Sequence, residues 1–155
     1  MRLEFFEMID IVEALDLDAG TIRMVSELPT ESPVFDGHFP GYPMLPGVLM
    51  LEIMSHAAGY ILYQRHRRER FVFLGSVRRA RFRRFVEPGA TIVAEATITH
   101  DGSGFYVAEG RLVVDGTLAA DCEIVLIVTD FPTPELKAAF FDRSLRIRGP
   151  AAVLA

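Results

Sequence analysis

Residues 47–65 form an apolar segment that constrains the fold of this 155-residue chain more than any other feature. Pro46-Gly47 precedes it and predicts a helix start, because proline suits the first turn of a helix. Its apolar residues would fall on most sides of that helix: Val48, Leu49, Leu51, Ile53, Met54, Ala57, Ala58, Ile61 and Leu62. A helix that is apolar nearly all round is buried. The segment therefore predicts a central helix, ending near Arg65, that other elements must cover.

One stripe of this helix is polar or small. Glu52, His56, Gly59 and Tyr63 follow one another at spacings of four, three and four residues, so they share a helix face. A buried, unpaired carboxylate is costly, so this face must meet a partner chain or a cleft.

The rest of the chain up to residue 128 is mostly strand-like. Met8 to Leu17 and Thr21 to Leu28 flank a turn and predict a hairpin. Four further strands are predicted over 71–82, 91–100, 104–114 and 117–128, with turn residues between them. Residues 29–46 are rich in proline and glycine and predict a loop. The sequence thus predicts an α+β domain, in which an antiparallel sheet of about six strands curls around one helix.

The character of the chain changes after residue 130. A short helix is predicted over 135–142. Thr133 can cap this helix, and Pro134 suits its first position. We expect residues 145–155 to form a loosely held tail. The predicted division is a domain over 1–130 and a C-terminal extension over 131–155.

The net charge of -5 conceals a strong asymmetry. Residues 65–84 hold nine arginines and one acid, whereas the rest of the chain is strongly acidic. Such a patch attracts acidic partners at low salt, although a solvated surface explains it equally well. Nucleic acid is disfavoured, because the patch has no recognisable binding motif and the whole chain is acidic.

Cysteine usage and hydropathy bear on the compartment. The single cysteine, Cys122, excludes an internal disulfide framework and favours a reducing environment. The N-terminal segment lacks a signal-peptide layout. Glu52 interrupts the best apolar run, which falls short of the ~18 residues of a membrane helix. We expect a soluble, cytoplasmic protein without membrane insertion.

The sequence HFPGYPMLPGVLMLE, residues 38–52, is the most informative stretch for function. It places His38 just before a proline- and glycine-rich turn, and Glu52 inside the predicted helix. A histidine, a glutamate and a helix N-terminus with free N–H groups are what is needed to move a proton next to a thioester carbonyl.

This stretch resembles the β-hydroxyacyl-acyl carrier protein dehydratases of bacterial fatty-acid synthesis. A second block, RFRRFVEPG at 81–89, is similar to the segment that follows the helix in that family. The resemblance covers about residues 8–128 and implies the hot-dog fold, an antiparallel sheet wrapped around one long helix. It also implies a substrate, a (3R)-hydroxyacyl thioester on acyl carrier protein, and a product, the trans-2-enoyl thioester.

The resemblance assigns roles to four residues. His38 would take the proton from C2, and Glu52 would help to protonate the departing C3 hydroxyl. The N–H of Gly47 would hold the thioester oxygen, although a plain helix-start glycine is the alternative. The carbonyl of Met44 would fix the tautomer of His38. Glu52, where relatives that also shift the double bond carry aspartate, favours dehydration alone.

The resemblance also implies partners. In this family the histidine and the glutamate of one site come from different subunits, which implies a homodimer and, commonly, a homohexamer made of three dimers. No metal or cofactor is implied. Five arginines would suit the acidic surface of the carrier and the phosphate of its prosthetic arm: Arg78, Arg79, Arg81, Arg83 and Arg84.

The chain departs from the family pattern at His56, where glutamine is usual. His56 would orient Glu52, lower its proton affinity or merely fill space, and we favour a supporting role beside Glu52. The different N-terminus and the longer C-terminus indicate a specialised paralogue, acting on an unusual chain length or a dedicated carrier protein. Two other functions stay open: a hot-dog acyl thioesterase, and a non-catalytic subunit that binds acyl carrier protein. His66 and His100 are expected to be surface residues.

Overall fold

The computed structural model of the chain describes residues 1–102 and 104–149. Within this part, six strands form one antiparallel sheet: β1 Ile11–Asp16, β2 Thr21–Glu27, β3 Phe71–Phe82, β4 Thr91–Gly102, β5 Phe105–Val114 and β6 Thr117–Thr129. Their order across the sheet is β1-β2-β4-β5-β6-β3. The edges of the sheet are therefore β1 and β3, and β3 lies beside β6.

In the described residues three α-helices accompany the sheet, α1 Pro33–His38, α2 Gly47–Arg65 and α3 Pro134–Ser144, besides a single 3-10 turn at Leu3–Phe5. The central helix α2 has the predicted bounds and packs against β2 through β6. Ile53, Ala57 and Ile61 have no exposed surface, as expected of a helix that the sheet covers on most sides. The predicted hot-dog architecture is confirmed.

The predicted strands are confirmed, with ends that shift by a few residues. The β1–β2 hairpin turns at Gly20, whose φ of +69° lies in the left-handed region that glycine adopts without strain. The β5–β6 hairpin turns at Asp115 and Gly116, both with positive φ. These turns set the strand registers that build the sheet.

The prediction of a loop over residues 29–46 was wrong in part, because α1 lies inside it. The hydroxyl oxygen of Ser32 accepts a hydrogen bond from the N–H of Val34 at 3.2 Å, and Pro33 occupies the first helical position. Phe35 is buried and fixes the short helix on the core. His38 therefore ends a helix instead of lying in a loop.

The C-terminal helix is confirmed and is longer than predicted. The hydroxyl oxygen of Thr133 accepts a hydrogen bond from the N–H of Leu136 at 3.2 Å, which is the expected cap. The predicted loose tail was wrong for the residues just after the helix. The N–H of Arg148 donates to the carbonyl of Asp10 at 2.9 Å, and its carbonyl accepts from Val12 at 2.7 Å. The remainder of that predicted tail, residues 150–155, lies outside the described residues.

In the part of the chain that the structure describes, none of the helices has the length and hydropathy needed to cross a membrane.

Candidate active site

The polar stripe of α2 opens into a pocket of about 280 Å³. The stripe therefore meets a cleft, one of the two environments that the sequence left open. From α2 the lining residues are Glu52, Ser55, His56, Gly59, Tyr60 and Tyr63. The remaining wall comes from Ile9, from β3 and Leu126, and from α3 and the segment after it. Most of this wall is aliphatic or aromatic, as in sites that bind small apolar molecules.

Glu52 and His56 form the main polar contact in this pocket. The Nε2 atom of His56 lies 2.9 Å from Oε1 of Glu52, and both side chains are about one-third exposed, at 32% and 30%. The hydrogen bond from His56 holds the pKa of the Glu52 carboxyl below its ordinary value, against the opposing effect of burial. The charge of Arg143 acts in the same direction. His56 therefore lies one helical turn from Glu52, at a distance that suits the supporting role predicted for it.

His38 lies at the end of α1 and is exposed. Its ring packs edge-on against Phe39, with the ring centroids 4.3 Å apart, and it is not among the lining residues of the Glu52 pocket. One protomer therefore does not bring His38 and Glu52 together in this pocket. The ring makes no hydrogen bond to the described residues, so its predicted contact with the carbonyl of Met44 stays a prediction. Met44 itself is buried.

Gly47 is the first residue of α2, and its N–H meets no acceptor among the described residues. The ring of Phe82 from β3 covers this position. A Cβ atom at residue 47 would stand 3.3 Å from that ring, which is tighter than ordinary contact. The close approach of Phe82 gives the glycine a structural reason besides the catalytic one.

The five predicted carrier-binding arginines lie on and just beyond β3, and three of them are paired. Arg78 contacts Glu123 at 3.0 Å, and Arg79 and Arg83 both contact Asp121. Arg81 and Arg84 are exposed and form no ion pair within residues 1–102 and 104–149. Arg81 and Arg83 flank Phe82, so they lie close to the start of α2. Among the described residues, unpaired Arg81 therefore places a positive charge close to the helix N-terminus.

The sequence reasoning missed the contribution of α3. Phe140, Arg143, Ser144 and Ile147 all line the pocket. No periodicity or motif in the sequence predicts that these residues line the pocket, because their position depends on how α3 packs beside α2. Tyr60 was missed as well, since it stands beside the polar stripe. The hydroxyls of Tyr60 and Tyr63 are buried and have no hydrogen-bond partner in the described part of the chain.

The two histidines expected at the surface, His66 and His100, differ in exposure. His100 is exposed and stacks on Phe105, with ring centroids 5.1 Å apart. His66 is half-buried, and its Nε2 lies 3.1 Å from the hydroxyl of Tyr106. Neither lines the Glu52 pocket.

Known families and relatives match most of the chain. Residues 2–123 match the model of the FabA-like domain. A 3-hydroxyacyl-[acyl-carrier-protein] dehydratase FabZ from Thiobacillus denitrificans is 35% identical over 131 residues, which is 82% of this chain and 90% of that protein. A protein of the same name from Rickettsia felis is 32% identical and covers 81% of this chain and 87% of its own length.

Solved structures agree with the fold. The dehydratase heterocomplex ApeI:P from Xenorhabdus doucetiae gives a TM-score of 0.58 at 22% identity, covering 76% of this chain and 97% of that chain. The protein TT0310 from Thermus thermophilus gives a TM-score of 0.61 at 18% identity, covering 82% and 98%. A putative thioesterase from Ralstonia eutropha gives 0.55 at 18%, covering 76% and 83%. At these identities the structural likeness shows the fold alone.

Proposed function

The chain belongs to the FabA-like family, and from that premise we propose that it dehydrates (3R)-hydroxyacyl thioesters on acyl carrier protein to trans-2-enoyl thioesters. The observation that carries the proposal is Glu52, a single carboxylate held by His56 in a largely apolar pocket. A proton donor beside an apolar groove is what the C3 hydroxyl of an acyl chain requires.

The reaction divides into three tasks. His38 takes the proton from C2, which is weakly acidic because the thioester carbonyl stabilises the resulting charge. The N–H of Gly47 donates a hydrogen bond to the thioester oxygen as that charge develops. Glu52 gives a proton to the C3 hydroxyl as the C3–O bond breaks, and the products are the enoyl thioester and water. The proton on His38 then returns to Glu52 through solvent.

Glu52 needs a proton to act as an acid, and its pKa in the free pocket is held below the ordinary value. Filling the pocket with an acyl chain removes water from around the carboxyl, and desolvation favours its neutral form. We infer that substrate binding raises the pKa of Glu52, against the hydrogen bond from His56. Desolvation thereby couples the protonation of the acid to occupation of the pocket, and His56 favours the ionised carboxylate when the pocket is empty.

A second copy of the chain supplies the missing half of the site in this proposal. His38 is outside the pocket that holds Glu52, and β3 is an edge strand of twelve residues. Exposed edge strands offer unpaired N–H and C=O groups to another chain. Val77 on β3 is 42% exposed, which suits an apolar contact between copies. These features support a homodimer with shared sites; three such dimers in a hexamer are a further prediction.

The carrier protein is the proposed macromolecular partner. Arg81 and Arg84, exposed near the start of α2, would meet its acidic surface and the phosphate of its arm. Arg78, Arg79 and Arg83 contribute less, because Glu123 and Asp121 offset part of their charge, with Asp121 shared by Arg79 and Arg83. We place the reaction in the cytoplasm, as the cysteine usage predicts.

The proposal is tested by following enoyl thioester absorbance and free thiol together, with (3R)-hydroxyacyl carrier protein as substrate. We expect absorbance to rise without thiol release, and Glu52→Gln to abolish the rise. Thiol release without enoyl formation would establish a thioesterase instead. Binding of acyl carrier protein without either signal would establish the non-catalytic subunit.

A further inference from the structure

Helix α3 lies beyond residues 2–123, the part of the chain that matches the family model, yet it forms part of the pocket. Phe140, Arg143, Ser144 and Ile147 come from this helix and the residues that follow it. The pocket of this chain is therefore closed by an element that the family match does not cover.

Helix α3 lines the same pocket as the polar stripe of α2. Its Phe140 packs against Tyr63, near the C-terminal end of α2, with ring centroids 6.4 Å apart. Its Arg143, one turn later, acts electrostatically on Glu52, near the N-terminal end. Glu52 and Tyr63 are separated by about 16 Å of helix axis, at about 1.5 Å per residue. The pocket thus extends along α2 from the carboxylate towards Phe140.

Phe140 is the centre of an aromatic wall, which comprises Tyr63, Phe71, Phe131 and Phe140. Besides Tyr63, the Phe140 ring meets Phe71 at 5.2 Å and Phe131 at 5.7 Å between centroids, both edge-on. Phe71 and Phe131 also contact one another at 5.5 Å. Edge-to-face packing of this kind gives a wall of fixed shape.

Polar contacts anchor α3 near both ends. Near its start, Lys137 pairs with Glu69 at 2.5 Å. Near its end, the guanidinium of Arg143 donates to the carbonyl of Phe5. Beyond the helix, Arg146 pairs with Glu7 at 2.6 Å, and the backbone of Arg148 bonds to Asp10. These contacts tie α3 to Glu69 after α2 and to the N-terminal residues, so we treat it as a boundary of the pocket rather than a lid that opens with each turnover.

We propose that α3 forms the end wall of the acyl pocket and that Phe140 sets the longest acyl chain that the enzyme accepts. This inference rests on the proposed function, because it takes the pocket that holds Glu52 as the acyl site. A chain that enters beside Glu52 and follows the α2 stripe meets the aromatic wall. Additional methylenes then have no space unless Phe140 moves.

The test compares Phe140→Ala with Phe141→Ala across 3-hydroxyacyl carrier proteins bearing octanoyl, dodecanoyl, hexadecanoyl and icosanoyl chains. Phe141 is the matched control, since it is the next residue of α3 but points outward, 42% exposed and 6.0 Å from the guanidinium carbon of Arg68. We expect Phe140→Ala to raise the kcat/KM ratio of long to short chains by about tenfold or more. Phe141→Ala should keep the ratio of the natural sequence. Equal ratios in both variants would overturn the proposal.

Two further variants guard against loss of folding. Phe140→Leu keeps an apolar side chain and should shift the ratio in the same direction by less. Phe140→Trp fills more of the pocket and should shift the ratio towards short chains. If Phe140→Leu and Phe140→Trp shifted the ratio in the same direction, the change would reflect general damage to α3. That result would contradict the proposal that Phe140 limits the chain length.

A binding measurement separates this inference from the proposed function. If the natural sequence forms no enoyl thioester at any length, the proposed function fails. Calorimetric titration with saturated acyl-pantetheines of the same four lengths still measures the longest chain that the pocket binds. We then expect Phe140→Ala to bind a longer chain than the natural sequence does, and an unchanged length limit would overturn the inference.

Discussion

The two residues proposed to transfer protons lie in opposite kinds of environment. Glu52 is set within a pocket, one helical turn from its hydrogen-bond partner His56, and is walled by α3. His38 is exposed at the end of a short helix, where its ring packs against the ring of Phe39. The Glu52 half of the site is thus organised within one chain, whereas the His38 half is not.

A base without support from its own chain needs support from another source. A catalytic base has to be held within hydrogen-bond reach of the proton that it takes. His38 is not held in this way by the described part of its own chain, which is why we propose that a second copy encloses it.

The largest effect is expected from His38→Ala. Loss of the base should lower kcat by about 10²- to 10⁴-fold, with little change in the melting temperature because the side chain is exposed. His100→Ala is the matched control, because His100 is also exposed and also packs on a neighbouring phenylalanine ring. Similar losses in both variants would contradict a catalytic role for His38.

A nearly equal loss is expected when the β3 edge is made charged. Val77→Lys should give monomers in sedimentation and activity close to background, because a lone chain has no complete site. Ala14→Lys places the same charge on β1, the opposite edge strand, and should leave both measurements unchanged. Full activity in monomeric Val77→Lys would show that one chain carries the whole site.

A smaller effect on activity is expected when an unpaired arginine of the predicted carrier-binding set is removed. Arg84→Ala should raise the KM for acyl carrier protein about two- to fivefold at low salt, because an exposed charge contributes weakly to binding. The difference should fade as salt rises and shortens the range of the attraction. Arg111→Ala removes an exposed arginine from β5 and serves as the control. Equal KM changes in the two variants would remove the assignment of Arg84 to carrier binding.

The smallest effect is expected from the pair inside the pocket. His56→Ala should lower the free energy of unfolding near neutral pH by about 0.5 kcal/mol, as for other partly exposed pairs one turn apart. The folded-state pKa of Glu52 is lowered, so this stabilisation is present above its ordinary value of 4.5 and is lost as pH falls through the lowered pKa. The natural sequence and His56→Ala should therefore converge in acid.

Denaturant titrations at several pH values measure this difference. In a Glu52→Gln background the acid-dependent part of the His56→Ala effect should vanish. If it persists there, the titrating partner of His56 is a group other than Glu52.

Most of the fold was predictable from the sequence, because local signals and burial pattern agree. The apolar segment that follows Pro46 gave α2 its bounds, and the turn at Asp115 and Gly116 gave the β5–β6 hairpin. Helix α1 was not predicted, because its proline-rich surroundings indicate a loop unless the cap at Ser32 is recognised. Short helices fixed by one cap and one buried ring leave little trace in periodicity.

The site was predictable only where chemistry and helical spacing coincide. Glu52 and His56 lie one turn apart on a helix, so their contact follows from sequence. The approach of Phe82 to Gly47 and the closure of the pocket by Phe140 join residues far apart in the chain. Such contacts are set by packing of whole elements, and no local pattern encodes them.

The most direct test of the shared site mixes two inactive chains. His38→Ala and Glu52→Gln are co-expressed with different tags, and the dimers that carry both tags are counted and assayed. If each site takes His38 from one subunit and Glu52 from the other, random pairing should restore about a quarter of the natural activity, because half of the dimers are mixed and each has one intact site. Activity that stays at the level of the two parents, with mixed dimers present, would show that both residues act within one chain.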